Sequence, residues 1–225
     1  MIDDVLQRYH DHDSFAAIEF LNRQDDPLAV LETYHDLVLH VYNELKNVPL
    51  MVVLACAGMA YGLLRAAAAT DSAVAAEIRG RVKGIAYNLA ANTWPGWDDP
   101  GIVITRSDCA IGLDAARANL RLGHELERGD LPMSRAYWML GAQLIAAQRY
   151  RDAQNAFADA ARLATSAGEP AEAVLAIGFA ALVDVLQGGD DTPLNALKAQ
   201  LAAFEHGAMF AGQIDAARRV FSRRA

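Results

Sequence analysis

Apolar positions recur at three- and four-residue intervals along nearly the whole chain, the spacing that puts them on one side of an α-helix. The period-two alternation of a half-buried strand is nearly absent. A short helix is predicted over 2–8. Asp13 or Ser14 can cap the next, whose Phe15, Ile18 and Leu21, with Ala17, form one buried face. Asp26-Pro27 opens a third helix, with a capping carboxylate followed by proline at the first helical position, where its missing N–H costs nothing. It carries Leu28, Leu31, Leu37, Val38 and Val41 and ends near Leu45. An apolar helix near 50–69 follows, then one capped by Asp71 or Ser72 that reaches about Asn92.

The break comes at Thr93-Trp94-Pro95-Gly96-Trp97-Asp98-Asp99-Pro100-Gly101, whose two prolines, two glycines and two consecutive aspartates cannot continue a helix. Ile102-Val103-Ile104 leans towards strand but is too short and solitary to found a sheet. Ser107-Asp108 can cap a helix reaching about Arg128. Further helices are predicted near 133–147, 150–167, 170–187, 192–206 and 213–223. Helices joined by such short loops make antiparallel neighbours, and a regular succession of them makes a solenoid. The expected fold is therefore all-α, with about ten helices in one domain over 1–225. Within it, 1–92 holds N-terminal helices, 93–104 a Trp/Pro/Gly loop, and 105–225 repeated hairpins.

Self-similarity sharpens this picture. Leu113, Ala116, Leu120 and Gly123 share their spacing with Tyr150, Ala153, Phe157 and Ala160, displaced by 37 residues. Small residues one turn after large ones let helices approach, and the next large side chain fills the gap. The second copy and the helix before it resemble a tetratricopeptide repeat over 134–167. The family's first-helix aromatic, leucine and glycine fall on Tyr137, Leu140 and Gly141. Its second-helix pattern falls on Tyr150, Ala153, Phe157 and Ala160. The next hairpin departs from the pattern: Val174, Ile177 and Gly178 fit the first helix, and Leu194, Leu197, Leu201 and Phe204 the second. The loop Gly188-Gly189-Asp190-Asp191-Thr192-Pro193, however, comes later than the family spacing allows. The last segment, with Ile214, Ala217, Val220 and Phe221 on one face and Arg218, Arg219, Arg223 and Arg224 towards the other, suits a capping helix. The fragments Tyr61-Gly62-Leu63 and Tyr87-Asn88-Leu89 can be read as remnants of the same repeat. The resemblance, looser over the whole of 105–225, implies a right-handed superhelix whose first helices line a concave groove. It implies that Arg135, Trp138, Ala142, Ile145, Leu175, Phe179 and Leu182 face that groove and hold a protein or peptide segment. The same stripe could instead be covered by the protein's own N-terminal helices or by a second copy of the chain. Trp94 and Trp97, on a proline-stiffened loop, suit either a contact surface or a pin onto the core.

Composition narrows the partners. A net charge of −8 is the reverse of what a phosphate-gripping domain shows, which argues against nucleic acid. Cys56 and Cys109 lack any paired or metal-binding spacing and read as small core residues in a reducing, cytoplasmic compartment. The first residues, Met1-Ile2-Asp3-Asp4, do not resemble a signal peptide. Residues 47–64 are uncharged over 18 positions, but Pro49, Gly58 and Gly62 and the amphipathic helices beyond favour a central helix buried on all sides, not a membrane span.

Candidate chemistry is sparse. His10-Asp11-His12-Asp13 places four potential ligands in one short turn, where they cannot readily converge on one ion, and no downstream histidine pair completes a set. His35-Asp36, with His10 or His12, has the look of the metal motif of all-helical HD phosphohydrolases, whose final aspartate has no counterpart here. No phosphate loop or nucleophile elbow is present, and no metal or cofactor is expected. Gly80 and Gly84 suggest close packing of their helix. The expected function is a non-enzymatic interaction module that binds a protein segment or itself. The alternatives are an all-helical enzyme or small-ligand protein, with a pocket between the N-terminal helices and the Trp94/Trp97 loop around His35, Asp36 or Tyr61, and a tetratricopeptide-type secretion chaperone.

Overall fold

Side-chain oxygens set where five of the helices begin. In the computed structural model, which describes residues 1–223, Asp13 Oδ1 accepts the Ala16 N–H at 2.8 Å. Asp13 is therefore the cap, and Ser14 opens α2 (Ser14–Asn22), after α1 (Ile2–Asp11). Asp26 accepts from the Leu28 N–H at 2.9 Å at the head of α3 (Pro27–Asn43), and Asn47 from the Leu50 N–H at 3.1 Å at the head of α4 (Val48–Ala68). Asp71 caps α5 (Ser72–Asn92) through the Ala73 N–H at 2.7 Å.

Beyond a single turn of 3₁₀ helix (Pro95–Trp97), α6 spans Arg106–Glu125. Its cap is Thr105, two residues ahead of the expected Ser107. The Asp108 N–H donates to Thr105 Oγ1 at 3.2 Å and the Thr105 N–H to Asp108 Oδ2 at 2.8 Å, so Asp108 is the return half of a capping box. Next come α7 (Asp130–Ala146), α8 (Tyr150–Ser166), α9 (Pro170–Leu186), α10 (Thr192–Leu201) and α11 (Gly207–Ser222). α7 begins ahead of the expected 133 because Pro132 sits in its first turn, where no N–H is needed. Asp190 accepts the Thr192 N–H at 3.0 Å and its hydroxyl at 2.9 Å, and these bonds hold its carboxyl below the ordinary range. α10 stops earlier and α11 starts earlier than the periodicity predicts. The cause is a sharp corner: His206 takes a φ of 62°, and a Cβ on Gly207 would lie 1.7 Å from the Leu201 carbonyl oxygen. The fold is all-α, with eleven α-helices and no strand among the described residues. Arg224, assigned to the polar face of the last helix, lies outside those residues.

The chain divides into two compact units, Met1–Asn92 and Thr93–Ala225, at the start of the Trp/Pro/Gly run. In the first, α4 runs antiparallel to α3: Gly58 lies under the ring of Tyr34, and Gly62 lies between Leu31 and Val82. α5 lies parallel to α3, where Arg81 Nη1 reaches Glu32 Oε2 at 2.6 Å and Gly84 adjoins His35. Tyr34 is fully buried, and its hydroxyl donates to Asn22 Oδ1 at 2.8 Å. Phe15 is 70% exposed, contrary to its expected place in the core. α2 packs through Ala17 and Leu21, and Phe15 lies roughly 200° of helical rotation from Ala17.

In the second unit each helix packs on its chain neighbours, and α9 also adjoins α7 and α11. The Ser134 hydroxyl donates to the Ala160 carbonyl at 2.8 Å and Gly141 lies under Phe157, so α7 and α8 form an antiparallel hairpin. Arg135 meets Glu172, 37 positions on, through bonds of 2.6 and 3.1 Å. A similar step recurs where Gly178 of α9 takes the Ile214 side chain of α11.

Substitution of the notch glycines tests this packing. A Cβ at Gly58 would lie 2.7 Å from Tyr34 Cγ, whereas one at Gly84 meets nothing closer than 3.9 Å. Gly58→Ala should lower the melting temperature, overpacking costing about 1–3 kcal/mol against a helix-propensity gain of about 1 kcal/mol. Gly84→Ala should raise it, since only the propensity gain remains.

Candidate functional site

The stripe expected to line a groove is covered by the second unit's own loop. Pro95 fixes the turn after Trp94, and Gly96 leaves room for the Trp94 indole, whose ring carbons would lie 2.2–2.6 Å from a Cβ there. Trp94 thereby folds inward and becomes the largest fully buried side chain, 1% exposed. Its ring meets Trp97 edge-on at 4.7 Å, Trp138 and Phe179 at 5.9 Å and Phe221 at 6.1 Å. Trp138 and Phe179 meet at 5.0 Å, and Phe157 stands behind Phe179 at 5.5 Å. Aromatic pairs in such edge and tilted geometries add about 0.5–1.5 kcal/mol each beyond the area they bury.

This arrangement decides the place of each residue expected to line a groove. Trp138, Ala142, Ile145, Leu175, Phe179 and Leu182 are all buried, at 8% exposure or less. Trp97 is half-buried and stacks on Trp138 at 5.9 Å. Arg135 is exposed but engaged bidentately with Glu172. The stripe is thus filled core, covered by the chain's own Trp94 and Phe221. Beside it, Gln143 and Thr93 are buried together, with Gln143 Nε2 3.5 Å from Thr93 Oγ1. α6 passes so close over them that a Cβ on Gly112 would collide with both.

Open concavities elsewhere include two. One, of about 740 Å³, lies between the start of α6 and the end of α7; Ile104, Cys109, Leu113 and Ala146 line it, with Arg106 and Gln148 as polar members. The other, of about 350 Å³, lies between α1 and α2 and includes Arg8, His12 and Arg23. Its charges are largely matched internally: Arg23 pairs with Glu19 at 2.7 Å, and the Arg8 guanidinium lies 5.3 Å over the Phe20 ring.

The histidine motifs separate. Asp13 serves as a helix cap, and His10 is exposed at the end of α1. His35 Nδ1 pairs with its neighbour Asp36 at 3.1 Å on the outside of α3. Tyr61 is buried against Tyr34, its ring 5.0 Å beneath the Arg65 guanidinium. Among the described residues no three His, Cys, Asp or Glu side chains are grouped so as to hold a metal ion.

The surface that the sequence reading missed is on α4. This is the one helix among the described residues long and apolar enough by composition to cross a membrane, yet only 44% of its apolar window is buried. It is not enclosed on all sides: Met51, Leu54, Ala55, Gly58 and Gly62 face the unit's core. Pro49, Val53, Cys56, Ala60, Leu63, Leu64 and Ala67 are exposed. Cys56 is accordingly a surface residue and Cys109 a half-buried one, neither being the core residue expected. Desolvation by the apolar surface around it pushes the Cys56 thiol above its ordinary pKa. Seven of the ten large apolar side chains exposed among the described residues lie in the first unit. The glycines marked the inward face of α4, but with both faces apolar, composition did not reveal that the other face is open.

Compared with protein-family models, curated proteins and solved structures, the chain matches none.

Because Trp138 and Phe179 are core residues, Trp138→Ala and Phe179→Ala should each destabilise the second unit by about 3–5 kcal/mol. Thermal melts followed by near-ultraviolet circular dichroism would show this as an earlier loss of aromatic signal. A melt unchanged from the parent would contradict the packing described.

Proposed function

We propose that this chain is a non-enzymatic protein-interaction module, a tetratricopeptide-like helical stack joined to an N-terminal helical unit that offers an apolar face. The observation that carries the reading is the exposed, nearly uncharged side of α4. Contiguous exposed apolar surface is costly in water and characteristic of contact sites. The tetratricopeptide likeness draws support from the Gly141–Phe157 contact within one hairpin and from the 37-position step between Arg135 and Glu172. A right-handed superhelix and a cytoplasmic setting belong to the same proposal. The free thiols of Cys56 and Cys109 agree with a reducing compartment.

In this reading the partner surface lies on α4, not on the stripe around Trp138. Affinity capture from the native cells, followed by mass spectrometry, tests it. Leu64, 72% exposed, is changed to Asp, and Val103, 77% exposed in the second unit, is changed to Asp as the control. Leu64→Asp should reduce the captured proteins, the chain's own untagged copy included, by roughly tenfold, the equivalent of 1.4 kcal/mol. Val103→Asp should leave them in place. An identical set of captured proteins from parent and Leu64→Asp chains would sink the reading.

A further inference from the structure

The cleft between the start of α6 and the end of α7 has the size and the polarity of a small-molecule site. Its volume of about 740 Å³ lies within the range of about 300–1,000 Å³ typical of such sites. Apart from Arg106 and Gln148 its lining is apolar, with Leu113 buried and Ile104 and Ala146 half-buried. Arg106 is the one charged residue of that lining, and it makes no ion pair or side-chain hydrogen bond with the described residues. The two acids of α6 closest to it in sequence are engaged elsewhere. Asp108 Oδ2 accepts from the Thr105 N–H at 2.8 Å and from its hydroxyl at 2.6 Å, and Asp114 pairs with Arg117 at 2.9 Å. The α7 end of the cleft has the opposite sign. In the turn that closes α7, the Gln148 N–H goes to the Ile145 carbonyl and the Arg149 N–H to that of Leu144, both at 2.9 Å. The carbonyls of Ala146 and Ala147 take neither bond and carry the partial negative charge of a helix end. An anionic group is therefore drawn to the Arg106 side, and an apolar one is left for the remainder.

We propose that this cleft binds a small amphipathic carboxylate, its head on the Arg106 guanidinium and its hydrocarbon chain along Ile104, Leu113 and Ala146. The inference goes beyond the interaction-module reading and concerns the second unit alone. Charge complementarity selects the head group. The planar guanidinium fork matches the two oxygens of a carboxylate, and a single arginine balances a single negative charge, which disfavours a doubly charged phosphate. The lining selects the body. Aliphatic side chains and small alanines offer a hydrocarbon chain contact along its length, and no second charged side chain in the lining calls for a polar group on the ligand.

Isothermal titration calorimetry on the full chain, with three probes that share one tail, provides the test: octanoate, 1-octanol and octylammonium. Octanoate should bind at one site, roughly tenfold more tightly than either of the others, the scale of one charge-assisted contact. Arg106→Gln should remove that preference, and Arg106→Lys, which keeps the charge, should retain most of it. Ala110→Trp, which places a large ring in the lining, should abolish octanoate binding. Arg106 and Ala110 are both exposed, so circular dichroism should be unchanged in all three variants. No binding of octanoate to the parent would overturn the proposal. So would equal affinity for the three probes, a preference for octanoate that survives Arg106→Gln, or octanoate binding indifferent to Ala110→Trp, which would place the ligand on another apolar surface. None of these results bears on the capture of partners through Leu64, so the two readings fail separately.

Discussion

At several helix crossings in this protein, a large side chain rests on a glycine. Tyr34 covers Gly58, Leu31 and Val82 close on Gly62, Phe157 covers Gly141, and Ile214 reaches Gly178. Each contact lets two backbones approach to a distance that any Cβ would forbid, and each fixes the rotation of a helix about its axis. In an alanine-rich chain that constraint matters more than usual, because smooth helices have few ridges to lock their register. The rotation of α4 is set in this way: with Gly58 and Gly62 turned inward, the row from Pro49 to Ala67 has to face outward. The exposed stripe is a geometric consequence of the packing beneath it.

Charge plays a smaller part. Many of the ion pairs among the described residues join residues three or four apart, such as Arg149 with Asp152 and Arg23 with Glu19, and both partners are largely exposed. Pairs of that kind contribute little to stability. Among those that cross between helices, Arg135 with Glu172 and Arg218 with Asp191 mark the register of the second unit more than they create it.

The helices were legible because three- and four-residue periodicity and capping side chains are local signals. Asp13, Asp26 and Asp71 announce their helices within a few residues of the bonds they make. What depended on distant partners was not legible. The burial of Ala17 and exposure of Phe15 are decided by how a short helix docks, and the shift of α10 and α11 by a corner at His206 and Gly207 that no pattern marks. The Trp138 stripe had the composition of a groove and of a core alike. Trp94, which fills it, comes from another part of the chain, beyond any repeat spacing. The open side of α4 escaped for a related reason: apolar residues all round a helix carry no sign of which side lacks a neighbour.

The inward fold of the 93–97 segment has one further consequence. Trp94, Trp97 and Trp138 are the chain's three tryptophans, and all belong to the aromatic cluster of the second unit. Their emission is therefore a built-in optical label for that unit alone. The first unit, which carries the α4 face, is silent in tryptophan fluorescence, and far-ultraviolet circular dichroism records both. A difference between the two signals during denaturation would separate the unfolding of the two halves without any added probe.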